Sequence, residues 1–74
     1  MASFSSLELD VIRWADQRDI LKHSTPMAQA AKTIEEVGEL VAALNSNDRT
    51  AAKDAYGDIL VTLIVGSEIG RAHV

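Results

Sequence analysis

Glu35, Glu36 and Glu39 place three carboxylates within five consecutive positions of the stretch TIEEVGEL. Glu35 and Glu39 are spaced i, i+4, and Glu36 and Glu39 i, i+3, so on a helix each pair shares a face, one turn apart. Like charges at that distance destabilise an isolated helix by ~0.2–0.5 kcal/mol per pair. A second acidic pair, Asp54 and Asp58, follows at i, i+4 in KDAYGDIL. Oxygen ligands with no histidine or cysteine beside them select a hard cation, Mg²⁺ or Mn²⁺. Mg²⁺ held by carboxylates usually carries a phosphorylated substrate too. The competing reading is a solvated acidic helix face that binds nothing.

Helices must position these groups, because the apolar rhythm is helical almost throughout and no strand-like alternation occurs. Ala30, Ile34, Val37, Leu40, Val41 and Leu44 form an i, i+3, i+4, i+7 stripe, which predicts a helix over Pro26–Leu44. Thr25 is suited to cap it, and Pro26 suits its first position, where a missing N–H costs nothing. The tract NSND ends it, and Asn47 or Asp48 is placed to cap the next helix, expected over Arg49–Gly66. That helix carries the stripe Ala52, Ala55, Tyr56, Ile59, Leu60, Leu63 and Ile64. An earlier helix is expected from Ser5, with Ser5 and Glu8 as a capping box. Leu7, Val11, Trp14 and Ala15 form its stripe, Ile20 and Leu21 follow near its end, and KHSTP reads as a loop.

Both connections are short, so neighbouring helices should run antiparallel. The expected architecture is all-α, an antiparallel bundle of three helices. With the pivot near Asn47, Glu39 lies eight positions before it and Asp54 and Asp58 seven and eleven after it. The two acidic pairs then stand at similar heights. Val37, Leu40, Ile59 and Leu60 flank them, so they sit at the rim of an apolar seam, where crowded carboxylates are costly without a cation. That coincidence favours a metal site over a solvated face.

A chain of 74 residues makes one small domain and buries only ~60% of its unfolded surface, so completion by oligomerisation is expected. There is no cysteine to supply a disulfide or thiolate site. The net charge of −4, with no basic stripe, argues against a nucleic-acid duplex as partner. The start has no secretory signal and no run approaches a membrane span, so a cytoplasmic location is expected. Gly66 and Gly70 are expected to break the last helix. Glu68–Val74 can be written in codons resembling a sequencing-adapter read followed by a stop. Residues 1–67 are therefore expected to be the domain and 68–74 a non-native tail, with a fourth helix missing beyond it.

KTIEEVGEL, a short linker and DAYGDILVTLI together resemble the MazG-like members of the all-α nucleoside triphosphate pyrophosphohydrolases. VIRWADQRDIL and STPMAQAAK resemble the N-terminal part of short phage and bacterial members, so the resemblance spans Leu7 to Ile64. It implies a Mg²⁺-dependent enzyme, with Mn²⁺ as a substitute, that cleaves a nucleoside triphosphate between its α and β phosphates. The products are a nucleoside monophosphate and pyrophosphate, and the service is nucleotide house-cleaning or recycling. It also implies assembly as a homodimer or homotetramer.

By position, Glu36, Glu39 and Asp58 match metal ligands. Glu35 would orient a ligand or activate water, making Glu35 and Glu36 the catalytic candidates. Lys32 matches a lysine placed to meet phosphate oxygens; Lys53 is a second candidate, with a surface salt bridge as the plain alternative for both. The family's second motif is usually E-x-x-D, and here Ala55 stands at its first place. Asp54, one residue back, is the candidate replacement ligand. On its apolar stripe Trp14 is expected to be core; the resemblance also brings the first helix near the nucleotide, where Trp14 could instead stack on a base with Arg18 and Gln17 at base or sugar. Gln29 would line the pocket or face solvent. Tyr56 is read as packing, His23 as exposed, and His73 has no role. Gly38 and Gly57 are expected to allow close helix approach near the acidic site. The alternative function is a non-catalytic helical module that binds a nucleotide or a partner chain, or a purely structural oligomerisation hairpin.

Overall fold

The computed structural model describes residues 3–72, and His73 lies outside them. Four helices, α1 (Phe4–Gln17), α2 (Ile20–His23), α3 (Pro26–Asn45) and α4 (Arg49–Ala72), make up nearly all of this span. No strand occurs among the described residues, so the all-α expectation holds.

Local chemistry sets the helix ends. Thr25 is extended, its hydroxyl accepts the Ala28 N–H at 3.0 Å, and Pro26 opens α3. At the other end Asn47 adopts the left-handed conformation with φ 58°. Its N–H donates to the Leu44 carbonyl and the Asp48 N–H to the Ala43 carbonyl, the paired bonds of a Schellman stop. Asparagine tolerates that backbone better than most residues. Asp48 then caps α4 at once, its Oδ1 accepting the Ala51 N–H at 3.0 Å. The first helix departs from expectation. Its cap is Ser3, whose hydroxyl accepts the Ser6 N–H, and Ser5 sits inside the first turn. The helix also breaks at Asp19, again left-handed with φ 58°. Lys22 and His23 belong to the short turn α2, so the loop shrinks to Ser24 and Thr25.

The α3–α4 hairpin is antiparallel, with contacts centred between residues 47 and 48. Leu40 and Ala43 pack on Ala52 and Ala55. The Thr33 and Thr62 hydroxyls meet at 2.6 Å. Farther from the turn, a methyl added at Gly66 would stand 3.2 Å from the Gln29 Cβ. Helix α1 rests on α4 and makes no contact with α3. There Ala15, Val65 and Ile69 form a second core, closed by Val11, Ile20, Leu21 and Val61. Between the two apolar clusters the α3–α4 interface is polar, with Thr33, Thr62 and Glu36. Thr33 and Thr62 contact each other and the Gln29 and Ile59 carbonyls. Two hydroxyl protons serve three contacts, so one threonine donates to the other, which donates back to its own helix.

Gly66 and Gly70 do not break α4, which runs on to Ala72. Each glycine costs ~1 kcal/mol relative to alanine. Burying Ile69, which is 1% exposed, offsets that, since a fully buried isoleucine contributes about 1.5–3 kcal/mol.

The expected apolar stripe of α3 mostly faces outward. Ile34 is 75% and Val41 60% exposed, with Met27, Val37 and Leu44 also exposed. The inward face is Thr33, Glu36, Leu40 and Ala43, with Gln29 half-buried at its start. On α4, Tyr56 and Leu63 are likewise exposed, which corrects the packing role expected of Tyr56. Gly38 and Gly57 also differ from expectation: a methyl at either would meet nothing within 4 Å. Gly38→Ala is therefore expected to raise the unfolding free energy by about 1 kcal/mol in urea denaturation. The same change at Gly66 is expected to lower it, because the Gln29 Cβ is fixed to its backbone and cannot swing aside.

Candidate metal-binding site and adjoining groove

Antiparallel pairing about the turn at 46–48 sets Glu36 of α3 opposite the Asp58–Ile59 step of α4. Glu36 is only 8% exposed. Its Oε2 is buried and has no hydrogen-bond partner among the described residues. Buried polar atoms are normally paired, so this oxygen is a candidate ligand for an ion. Burial pushes the Glu36 carboxyl above its ordinary range. The Glu39 carboxyl adds to the shift by hydrogen bonding and by charge, and the Asp58 charge adds further. The Lys32 ammonium pulls the other way.

These four side chains thus act on one another. Glu39, Asp58 and Lys32 are exposed, so the cluster lies at an open edge of the hairpin with Glu36 as its buried member. Among the described residues, no three acidic or imidazole groups already surround a common point. The donor set fits a hard divalent ion: carboxylate oxygens only, one of them buried and unpartnered. An ion would draw Glu39 and Asp58, whose side chains are free to turn, toward the fixed Glu36.

The remaining candidates separate. Glu35 and Asp54 are exposed, and neither is among the charges that shift Glu36. Ala55, at the place of the missing glutamate, is 4% exposed and packed with Leu40, Ala43 and Ala52, so the position is occupied by core. Lys53 lines a separate hollow of about 490 Å³ beside the α3–α4 turn, with Arg49, Asn47 and Tyr56. The Gln29 amide donates to the Ser24 hydroxyl at 2.9 Å, near the opposite end of α3.

Trp14 is 42% exposed, so it is not core. With Asp10, Val11, Asp58 and Val61 it lines a groove of about 330 Å³ between α1 and α4. The Arg18 guanidinium sits over the indole, 5.2 Å from its centroid, a cation–π contact. Asp58 belongs to both the groove and the acidic cluster, so the two form one continuous surface. Sequence reasoning missed Asp10. The available signal was its i, i+4 spacing to Trp14, which puts both on one face of α1.

A model of the family described as the MazG nucleotide pyrophosphohydrolase domain matches residues 24–73. An uncharacterised 18.2 kDa protein of Haemophilus phage HP1, encoded in the rep-hol intergenic region, is 34% identical over 65 residues. That match covers 88% of this chain and 40% of the phage protein, so the chain spans well under half of that relative. No solved structure gives a match. No helix among the described residues is long and apolar enough to cross a membrane. With the acidic motif, its partner on α4 and the helical hairpin all inside the matched span, the chain belongs to the MazG nucleotide pyrophosphohydrolase domain family.

Proposed function

We propose that this chain hydrolyses nucleoside triphosphates to a nucleoside monophosphate and pyrophosphate with Mg²⁺, or Mn²⁺ in its place, as a step in nucleotide house-cleaning or recycling. The observation that carries the reading is the buried, unpartnered Glu36 oxygen beside Glu39 and Asp58, at the end of a groove that holds an exposed tryptophan. Glu36, Glu39 and Asp58 would hold the ion, with Asp54 one turn from Asp58 on the outer side. The bound ion would neutralise phosphate charge and lower the pKa of attacking water. Lys32 is placed to meet phosphate oxygens. Glu35, free of the cluster, is available to take a proton from water. Trp14 and Arg18 offer the base a flat, cationic neighbour. Gln29 and Lys53 have no part in this arrangement.

The assembly is a homodimer or larger. Met27, Ala30, Ile34, Val37, Val41 and Leu44 alternate three and four residues apart, the a/d spacing of a coiled-coil seam, and all face away from the chain's own core. The accessible surface is 5502 Å², whereas a compact monomer of 8.0 kDa exposes about 4,450 Å². The surplus is of the size one partner contributes to a stable interface, about 800 Å². A second copy packing its own α3 on this seam would cover it.

The direct test is pyrophosphate release from a panel of NTPs and dNTPs with Mg²⁺. Release above background is expected; a full panel without release would remove the enzymatic reading. Ala55 supports one rival, a module that binds a nucleotide without turnover, because the core packing there leaves no carboxylate at that place. Binding of a non-hydrolysable triphosphate with no release from any substrate would establish that rival.

A further inference from the structure

The α1–α4 groove contains a group that neither metal binding nor base stacking explains. Asp10 lines it together with Trp14, one turn away on the same face of α1, while Val11 and Val61 supply apolar walls. The Asp10 carboxylate is exposed and makes no salt bridge among the described residues, so it is open to a ligand in the groove. At about 330 Å³ the groove lies at the small end of the range for small-molecule sites. Arg18 sits over one face of the indole, and the ring itself lines the groove. A flat group stacked on Trp14 would present its edge to the turn of α1 that bears Asp10. Asp58, at the junction with Glu36, sets the direction: phosphates toward the acidic cluster, base toward α1.

We propose that this groove is the base subsite and that Asp10 is its specificity-determining residue, favouring guanine and disfavouring uracil and thymine. An ionised carboxylate only accepts hydrogen bonds. Guanine offers two adjacent donors, N1–H and the N2 amine, which match the two carboxylate oxygens, and charge-assisted paired bonds of this kind are the strong ones. Cytosine and adenine offer one exocyclic amine beside a ring-nitrogen acceptor. Uracil and thymine offer one N3–H between two carbonyl oxygens that repel the carboxylate. The order is therefore guanine, then cytosine and adenine, then uracil and thymine. The orientation of the nucleotide in the groove rests on the reading of the acidic cluster as the phosphate end. The base preference itself is read without turnover.

Trp14 is the only tryptophan, so its fluorescence reports occupancy of the groove directly. The protein is titrated with GMP, CMP, AMP and UMP, and pyrophosphate release from the four triphosphates is measured in parallel. Quenching by GMP at concentrations on the order of tenfold lower than by UMP is expected. Asp10→Asn, whose amide both donates and accepts, is expected to bring UMP level with or ahead of GMP. Asp10→Ala is expected to flatten the series while quenching persists. Equal quenching by all four nucleotides, an unchanged order in both variants, or no quenching by any of them would overturn the proposal. Release without an Asp10-dependent preference would sink this inference and leave the hydrolase reading standing. Preference without release would do the reverse.

Discussion

Glu36→Gln is expected to reduce pyrophosphate release at least ~100-fold while raising the melting temperature of the metal-free protein. The two effects have one cause. Glu36 is buried beside Glu39 and Asp58 with one oxygen unpartnered, so its ionised form is disfavoured in the metal-free fold, with the Lys32 ammonium offsetting only part of that. Glutamine keeps the shape and removes the charge; in the absence of an ion that relieves the fold, and in its presence it removes the fixed ligand. The sign with pH follows from the raised carboxyl. A group that holds its proton more tightly when folded contributes stability below its unfolded pKa, and that contribution is lost as pH rises through the higher folded value. Without metal, wild-type stability should therefore step down over that interval, and Glu36→Gln should lack the step. Circular dichroism melts across the acid range check this. A variant that melts lower at neutral pH and keeps the step would show that Glu36 is not the strained group.

Ile34→Glu is expected to dissociate the assembly. Ile34 and Val41 are central on the outward seam of α3 and are among its most exposed members in a single chain. A charge there would have to be buried against its own copy in a symmetric interface, where each subunit repeats the insult. Truncating a central anchor weakens an interface by at least ~2 kcal/mol, roughly thirtyfold in affinity, and an added like-charge pair costs more. Sedimentation should show the wild type at a multiple of 8.0 kDa and the variant at the single-chain mass. The melting temperature should depend on concentration only for the wild type. A wild type that sediments as one chain at high micromolar concentration would show that the seam has no second copy on it.

Where a feature depends on a few adjacent residues, the sequence disclosed it. Thr25 and Pro26 begin α3 because a hydroxyl cap followed by proline has few other local solutions. The short NSND connection places the turn at 46–48, and so the height of Glu36 relative to Asp58. What resisted reading was the destination of each apolar stripe. Periodicity shows that Ile34, Val37, Val41 and Leu44 want burial, but not whether their own chain or a copy provides it. The face that the chain itself covers is more polar, with Thr33 and Glu36, and no pattern rule selects such a face. Glycine misled in the same way. Gly66 reads as a helix break because propensity is local, yet the helix persists, since Val65 and Ile69 find a core with Ala15 of α1. Gly38 and Gly57 suggest close approach of helices, yet a methyl at either would meet nothing within 4 Å. Asp10 stayed hidden because its groove exists only once α1 is laid on α4.

Thermal denaturation of the wild type, Glu36→Gln, Glu39→Gln and Asp58→Asn against Mg²⁺ concentration bears most directly on a shared ion held by α3 and α4. An ion bound only by the folded state must raise stability with concentration, by about 2.7 kcal/mol at a hundred times its dissociation constant. The wild-type melting temperature is expected to climb in this way, and all three variants to lose most of the rise. A wild type indifferent to Mg²⁺, or a rise that survives in Glu36→Gln and Asp58→Asn, would contradict a metal centre formed by these carboxylates.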